Sequence, residues 1–122
     1  MTSKLEIIAD SLETNDGLFV IENKSHSRKE NNIVRKIEYY VAPLNGIDKY
    51  DVKKMNELID GLIPELDPDS RIPYIANIHA ADIGYGRLYF EEEIDYGNIK
   101  MKRHIGINVY PSSELAEYYS KN

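Results

Sequence analysis

The stretch RLYFEEEIDYGNIKMKRHIGINVY, residues 87–110, decides the fold, because it can be aligned with itself as a hairpin. Its two halves, 87–95 and 98–110, are rich in β-branched and aromatic residues and predict two consecutive strands. Gly97 and Asn98 between them favour a two-residue turn of the primed type. That turn pairs residues whose numbers sum to 195, since 97 + 98 = 195.

This register gives each charge on the apolar face a partner. Glu92 and Arg103 are the charged residues of that otherwise apolar face, and this register places them opposite each other as a structural ion pair. The other predicted pairs are Leu88–Ile107, Phe90–Ile105 and Ile94–Met101 on the same face, and Glu91–His104, Glu93–Lys102 and Asp95–Lys100 on the other. A turn one residue earlier would set Arg103 against Phe90 and Glu92 against Met101, which leaves half-buried charges unpaired.

The three consecutive glutamates of this hairpin resemble metal or acid–base ligands. Alternation along a strand places Glu92 on the opposite face from Glu91 and Glu93, so the three cannot converge on one ion. We therefore predict that they are structural.

Working outward, apolar periodicity and turn residues predict the remaining elements. They are a helix near 4–13, strands at 18–23, 33–42 and 72–79, a main helix near 49–62, and a short helix after Pro111 with Leu115, Tyr118 and Tyr119 as its apolar face. The sequence thus predicts a single α+β domain over 1–122, with a mainly antiparallel sheet of about five strands, one main helix packed on it, and the order α-β-β-α-β-β-β-α.

Composition excludes several functional classes. The chain contains no cysteine, which rules out disulfides, thiolate zinc sites and cysteine nucleophiles. Its longest purely apolar run is LFVI, and its first ten residues lack the pattern of a signal peptide, so we expect a cytoplasmic protein without a membrane partner. A net charge of −6 argues against nucleic acid as a partner.

The charge is unevenly distributed. Residues 24–36 carry five basic groups and one acid, whereas residues 57–69 carry five acids and no base. We predict that residues 24–32, between two strands, form a long, mobile, basic loop. The candidate partner-binding residues are Lys24, His26, Arg28, Lys29, Arg35, Lys36, Glu65, Asp67 and Asp69. Such patches fit docking onto copies of the same chain or onto another protein, although charge runs are also typical of solvated faces.

The segment NIHAADIGYGRLYF, residues 77–90, holds a second set of reactive side chains. His79 and Asp82 could form a general-base pair, and this pattern leaves a small enzyme open as an alternative. The glycines at 84 and 86 are followed by a strand rather than a helix, so a hairpin loop is predicted and not a phosphate site. No metal-ligand spacing or catalytic motif occurs, and we expect a non-enzyme without cofactor or metal.

An initial helix, a hairpin and a single strong helix are predicted for SKLEIIADSL, then LFVIEN with IVRKIEYYVA, then DKYDVKKMNELIDGLIPEL. This order of elements resembles that of bacteriophage tail-terminator and tail-completion proteins. The resemblance implies a head–tail junction protein that assembles in the host cytoplasm through contacts with its own copies and neighbouring assembly proteins. Residues 24–32 would then be a loop that crosses to a neighbour. The alternative is a small acidic inhibitor or immunity protein, whose acidic stretch 57–69 and Asp82 would face a basic toxin or nuclease.

Overall fold

A computed structural model describes residues 4–48, 51, 53, 54, 57, 61 and 86–121 of the chain. In chain order the elements are α1 (Lys4–Glu13), β1 (Leu18–Lys29), β2 (Asn32–Pro43), β3 (Gly86–Asp95), β4 (Lys100–Val109) and α2 (Ser113–Ser120). The predicted α+β class is confirmed.

The described strands form one four-stranded sheet in the order β1-β2-β4-β3. β1 pairs antiparallel with β2, and β3 pairs antiparallel with β4, but β2 and β4 run parallel. The sheet is therefore mixed, since two of the three pairings among the described strands are antiparallel and one is parallel. The reason is that β4 returns from its hairpin into the position between β2 and β3, and the long connection 44–85 permits a parallel neighbour. The predicted strand 72–79 lies outside the described residues.

The register of the last hairpin is confirmed at every predicted pair, from Leu88–Ile107 to Asp95–Lys100. Arg103 Nη1 lies 3.1 Å from Glu92 Oε1. At the turn, Tyr96 N donates to Ile99 O at 2.8 Å. Gly97 adopts φ 87°, the left-handed conformation that a primed turn requires at this position.

The predicted mobile loop at 24–32 is wrong. β1 continues to Lys29, β2 begins at Asn32, and only Glu30 and Asn31 form the turn. Residues 23–29 are all exposed, so this half of an edge strand lacks the alternation of apolar and polar residues that reveals strands in sequence. Its stability comes from backbone pairing with β2.

α1 covers one face of the sheet, and its predicted bounds are confirmed. Leu5, Ile8 and Leu12 project from it into the core. They pack with Tyr39, Val41, Leu88, Phe90, Ile105, Ile107 and Val109, which alternation places on the same face of the sheet. The helix ends at a turn in which Gly17 N donates to Asn15 Oδ1 at 2.9 Å.

α2 covers part of the opposite face. Ser112 caps it by accepting a hydrogen bond from Leu115 N. Ala116 is its buried residue, and it packs with Ala42 and Tyr110. The predicted apolar face is corrected at Tyr118, which is 64% exposed, because the helix turns Ala116 toward the sheet instead.

Most of the predicted main helix lies outside the described residues. Residues 53, 54, 57 and 61 are helical, and Asp51 Oδ1 accepts a hydrogen bond from Lys54 N at 3.0 Å, as an N-cap does. His79, Asp82 and the glycine at 84 also lie outside the described part, whereas Gly86 begins β3. Within the described residues, none of the helices has the length and apolar character needed to cross a membrane.

Candidate protein-binding surface

One end of the sheet extends beyond α1 and α2, and we call it the outer end. Both hairpin turns, 30–31 and 97–98, lie there, since Lys100 N at the start of β4 donates to Asn31 O at 2.9 Å. The burial of β1 shows where the helices stop. Its first five residues are partly buried, and its last seven are exposed. The outer end therefore presents side chains of both sheet faces to solvent.

A row of basic side chains crosses the α1 face at the outer end. His26 pairs with Arg35, and Arg35 pairs with Arg103 across the parallel strands. We call the two arginines of this line, Arg35 and Arg103, the cationic row. Like charges on directly adjacent strand positions destabilise a sheet, so this arrangement has a cost that the fold itself does not require.

The charges of this row are unequally neutralised. Arg103 has two carboxylates nearby, Glu92 at 3.1 Å and Glu6 at 3.8 Å. Arg35 is exposed and makes no ion pair or side-chain hydrogen bond within the described residues. Its guanidinium is thus available for a carboxylate from outside the described part of the chain.

A groove of about 640 Å³ lies between α1 and this row. Its floor includes Ile33, Ile37 and Ile105, which occupy the same sheet face as Arg35. On the α1 side it is bounded by Leu5, Glu6 and Ala9. The groove therefore combines an apolar floor with a charged rim, as protein-binding surfaces do.

The β1 side of the groove carries two more cations. Lys24 Nζ lies 3.2 Å from Glu22 Oε1, but the lysine side chain is 68% exposed, so solvent screens this pair strongly. Arg28 Nε donates to Glu30 O at 3.2 Å and so ties its strand to the turn. Both side chains can still meet an approaching anion.

Five of the predicted partner-binding residues line the groove, namely Lys24, His26, Arg28, Arg35 and Lys36. The register assigns Lys36 to the opposite sheet face, and its Nζ lies 3.3 Å from Glu38 Oε1. Lys29 also lies on the opposite face by register and is not part of the groove lining. The three predicted acids Glu65, Asp67 and Asp69 lie outside the described residues.

A polar cluster on the α2 face was missed by sequence reasoning. Glu38 accepts hydrogen bonds from Arg87 Nη2 at 3.0 Å and from Asn108 Nδ2 at 2.8 Å, and Asn108 is 3% exposed. Burial alone would raise the pKa of Glu38, but these hydrogen bonds and the charge of Arg87 hold that pKa below its usual value. A side chain at Gly106 would collide with this cluster. A glycine inside a strand was the available signal.

Next to this cluster, Tyr89 and His104 form a hydrogen bond between the tyrosine hydroxyl and Nδ1 of the imidazole. Burial, followed by the charge of Glu91, raises the pKa of Tyr89. His104 Nε2 is buried without a hydrogen-bond partner in the described part of the chain, and it lies 3.9 Å from Glu91 Oε2. Among the described residues, no three His, Cys, Asp or Glu side chains are placed to hold a metal ion.

Comparison of the chain with protein-family models, with curated proteins and with solved structures finds no match.

Proposed function

We propose that this chain is a non-enzymatic assembly protein that acts through contacts between protein subunits made at the outer end of the sheet. The observation that carries the proposal is Arg35, an exposed arginine beside Arg103 with no anionic partner in the described residues.

The physical reason is a balance between stability and association. A like-charge neighbour lowers the stability of the isolated chain, and a carboxylate from another subunit would reverse that effect. The apolar floor beside it, with Ile33 and Ile37, would add the burial of apolar surface on association. Charged rims of this kind set the choice of partner and the rate of encounter.

More specifically, we propose a junction or tail-completion component of a phage virion, assembled in the host cytoplasm. The support is the order of elements, which resembles that of tail-terminator proteins. In this proposal the β1–β2 hairpin takes the role that the resemblance assigned to a loop. Copies of the chain and neighbouring assembly proteins are its partners.

The test is the native mass of the chain by light scattering, with two charge-reversal variants. R28E/R35E reverses two positive charges of the groove, and K29E/K102E reverses the charges of two exposed lysines on the opposite face. Both variants change the net charge equally, from −6 to −10. We expect a discrete oligomer for the wild type and for K29E/K102E, and the mass of one chain, 14.1 kDa, for R28E/R35E. A wild type that stays monomeric at all concentrations would refute self-assembly.

A further inference from the structure

α1 carries an acidic stripe, which we define as Glu6, Asp10 and Glu13. The spacing i, i+4 and i+7 places these residues on one flank of the helix, and all three are exposed. Residues 5–17 contain four acids and no base. The charged residues of this segment are therefore all of one sign, opposite to that of the cationic row.

The part of the stripe near the carboxyl end of α1, Asp10 and Glu13, opposes the helix dipole of the isolated chain. The carboxyl end of a helix carries partial negative charge, which cations stabilise and carboxylates oppose. α1 has no basic residue in its last turn, and Asp10 and Glu13 lie near that end. The carboxylate of Asp10 has no partner within the described residues, whereas Glu13 accepts a hydrogen bond from the Tyr39 hydroxyl at 3.2 Å.

The first residue of the stripe and the cationic row border the same groove. Glu6 lines it on the α1 side, and Arg35 and Arg103 line it on the sheet side. A surface with adjacent patches of opposite sign is complementary to itself, because a two-fold rotation sets each patch against the other. Ile7, next to Glu6, is 37% exposed and provides apolar surface for such a contact.

We infer that the groove receives α1 of a second copy of this chain, with the acidic stripe of one copy against the cationic row of the other. This inference rests on the proposed function and specifies its partner. It predicts that each reversed patch abolishes the contact and that the two reversed patches restore it together.

The experiment is a charge swap measured by light scattering on purified chains. One variant is R28E/R35E, the groove reversal, and the other is E6K/D10K, the stripe reversal. Each alone should have the mass of one chain, and their equimolar mixture should regain the wild-type oligomer. The matched control is E114K/E117K, which reverses two exposed acids of α2 and gives the same net charge of −2 as E6K/D10K, since −6 + 4 = −2. In an equimolar mixture of E114K/E117K with R28E/R35E, chains of R28E/R35E should still be found with the mass of one chain.

The outcomes separate this inference from the proposed function. If R28E/R35E is monomeric but E6K/D10K still assembles, the groove is an interface whose occupant is not α1, and only this inference is overturned. If both variants are monomeric and their equimolar mixture is monomeric too, the inference that α1 occupies the groove is also overturned. If the wild type itself is monomeric at all concentrations, the proposed self-assembly fails too. Circular dichroism of each variant verifies that the fold is retained.

Discussion

Replacing Arg35 with glutamine should stabilise the isolated chain. Arg35 lies directly across from Arg103 on one side and from His26 on the other, and it has no compensating carboxylate in the described residues. The substitution R35Q removes the charge and keeps part of the aliphatic stem. Because like charges on adjacent strands destabilise by about 0.2–1 kcal/mol, the free energy of unfolding should rise by about 0.5 kcal/mol.

The matched variant is K29Q, which removes one positive charge from the opposite face, where Lys29 pairs with Asn32. Both substitutions change the net charge from −6 to −7. An acidic chain that loses a cation should be slightly destabilised by overall repulsion, as we expect for K29Q. A higher free energy of unfolding for R35Q, together with a slightly lower one for K29Q, would therefore measure the local repulsion between Arg35 and its neighbours.

The assay is urea unfolding at a dilution where light scattering gives a monomer. With a slope of about 1.5 kcal/mol per M, the expected gain shifts the midpoint by about 0.3 M. The shift should shrink in about 1 M NaCl, where the Debye length is about 3 Å. A loss of stability equal to that of K29Q, or a gain that salt leaves unchanged, would refute the assigned repulsion.

Three further predictions concern the fold. G106A should destabilise by about 2 kcal/mol in urea unfolding, because a methyl group there lies 2.6 Å from Arg87 Nη2 and displaces its ion pair with Glu38. G61A should be neutral or stabilising, because a methyl group at that helical position meets no atom of the described residues within 4 Å. The lowered pKa of Glu38 adds to the free energy of unfolding at a pH above its unfolded-state pKa of 4.5, and this contribution is lost as the pH falls through the lower folded-state pKa. E38Q should therefore reduce the dependence of the free energy of unfolding on pH in that window. E30G should stabilise by up to about 1 kcal/mol in thermal unfolding, because Glu30 adopts φ 57°, and a decrease would contradict this.

The last hairpin could be predicted residue by residue because its charges restrict the register. Shifting it by one residue would leave Glu92 and Arg103 without each other on a half-buried face. The helix α1 was equally predictable, since its apolar stripe has a single period. In these two elements the local pattern and the tertiary structure require the same arrangement.

The missed features depend on neighbours distant in sequence. Arg87 and Asn108 are 49 and 70 residues from Glu38 along the chain, and only the insertion of β4 beside β2 brings them together. The same parallel pairing sets Arg103 beside Arg35. Strand periodicity indicates which residues share a face, but it carries no information on which strands are neighbours.

Two arginines of this sheet, Arg87 on β3 and Arg35 on β2, differ in how their charges are neutralised. Arg87 is directed at Glu38 and Asn108, so its charge is satisfied within the fold. Arg35 faces another cation at the uncovered end, where an apolar or neutral residue would make the isolated chain more stable. A charge that the fold neutralises needs no external explanation. The charge of Arg35 opposes the fold and lies beside a groove that Glu6, the first residue of the acidic stripe, borders on the α1 side. The proposed contact with a second copy of the chain would account for this charge.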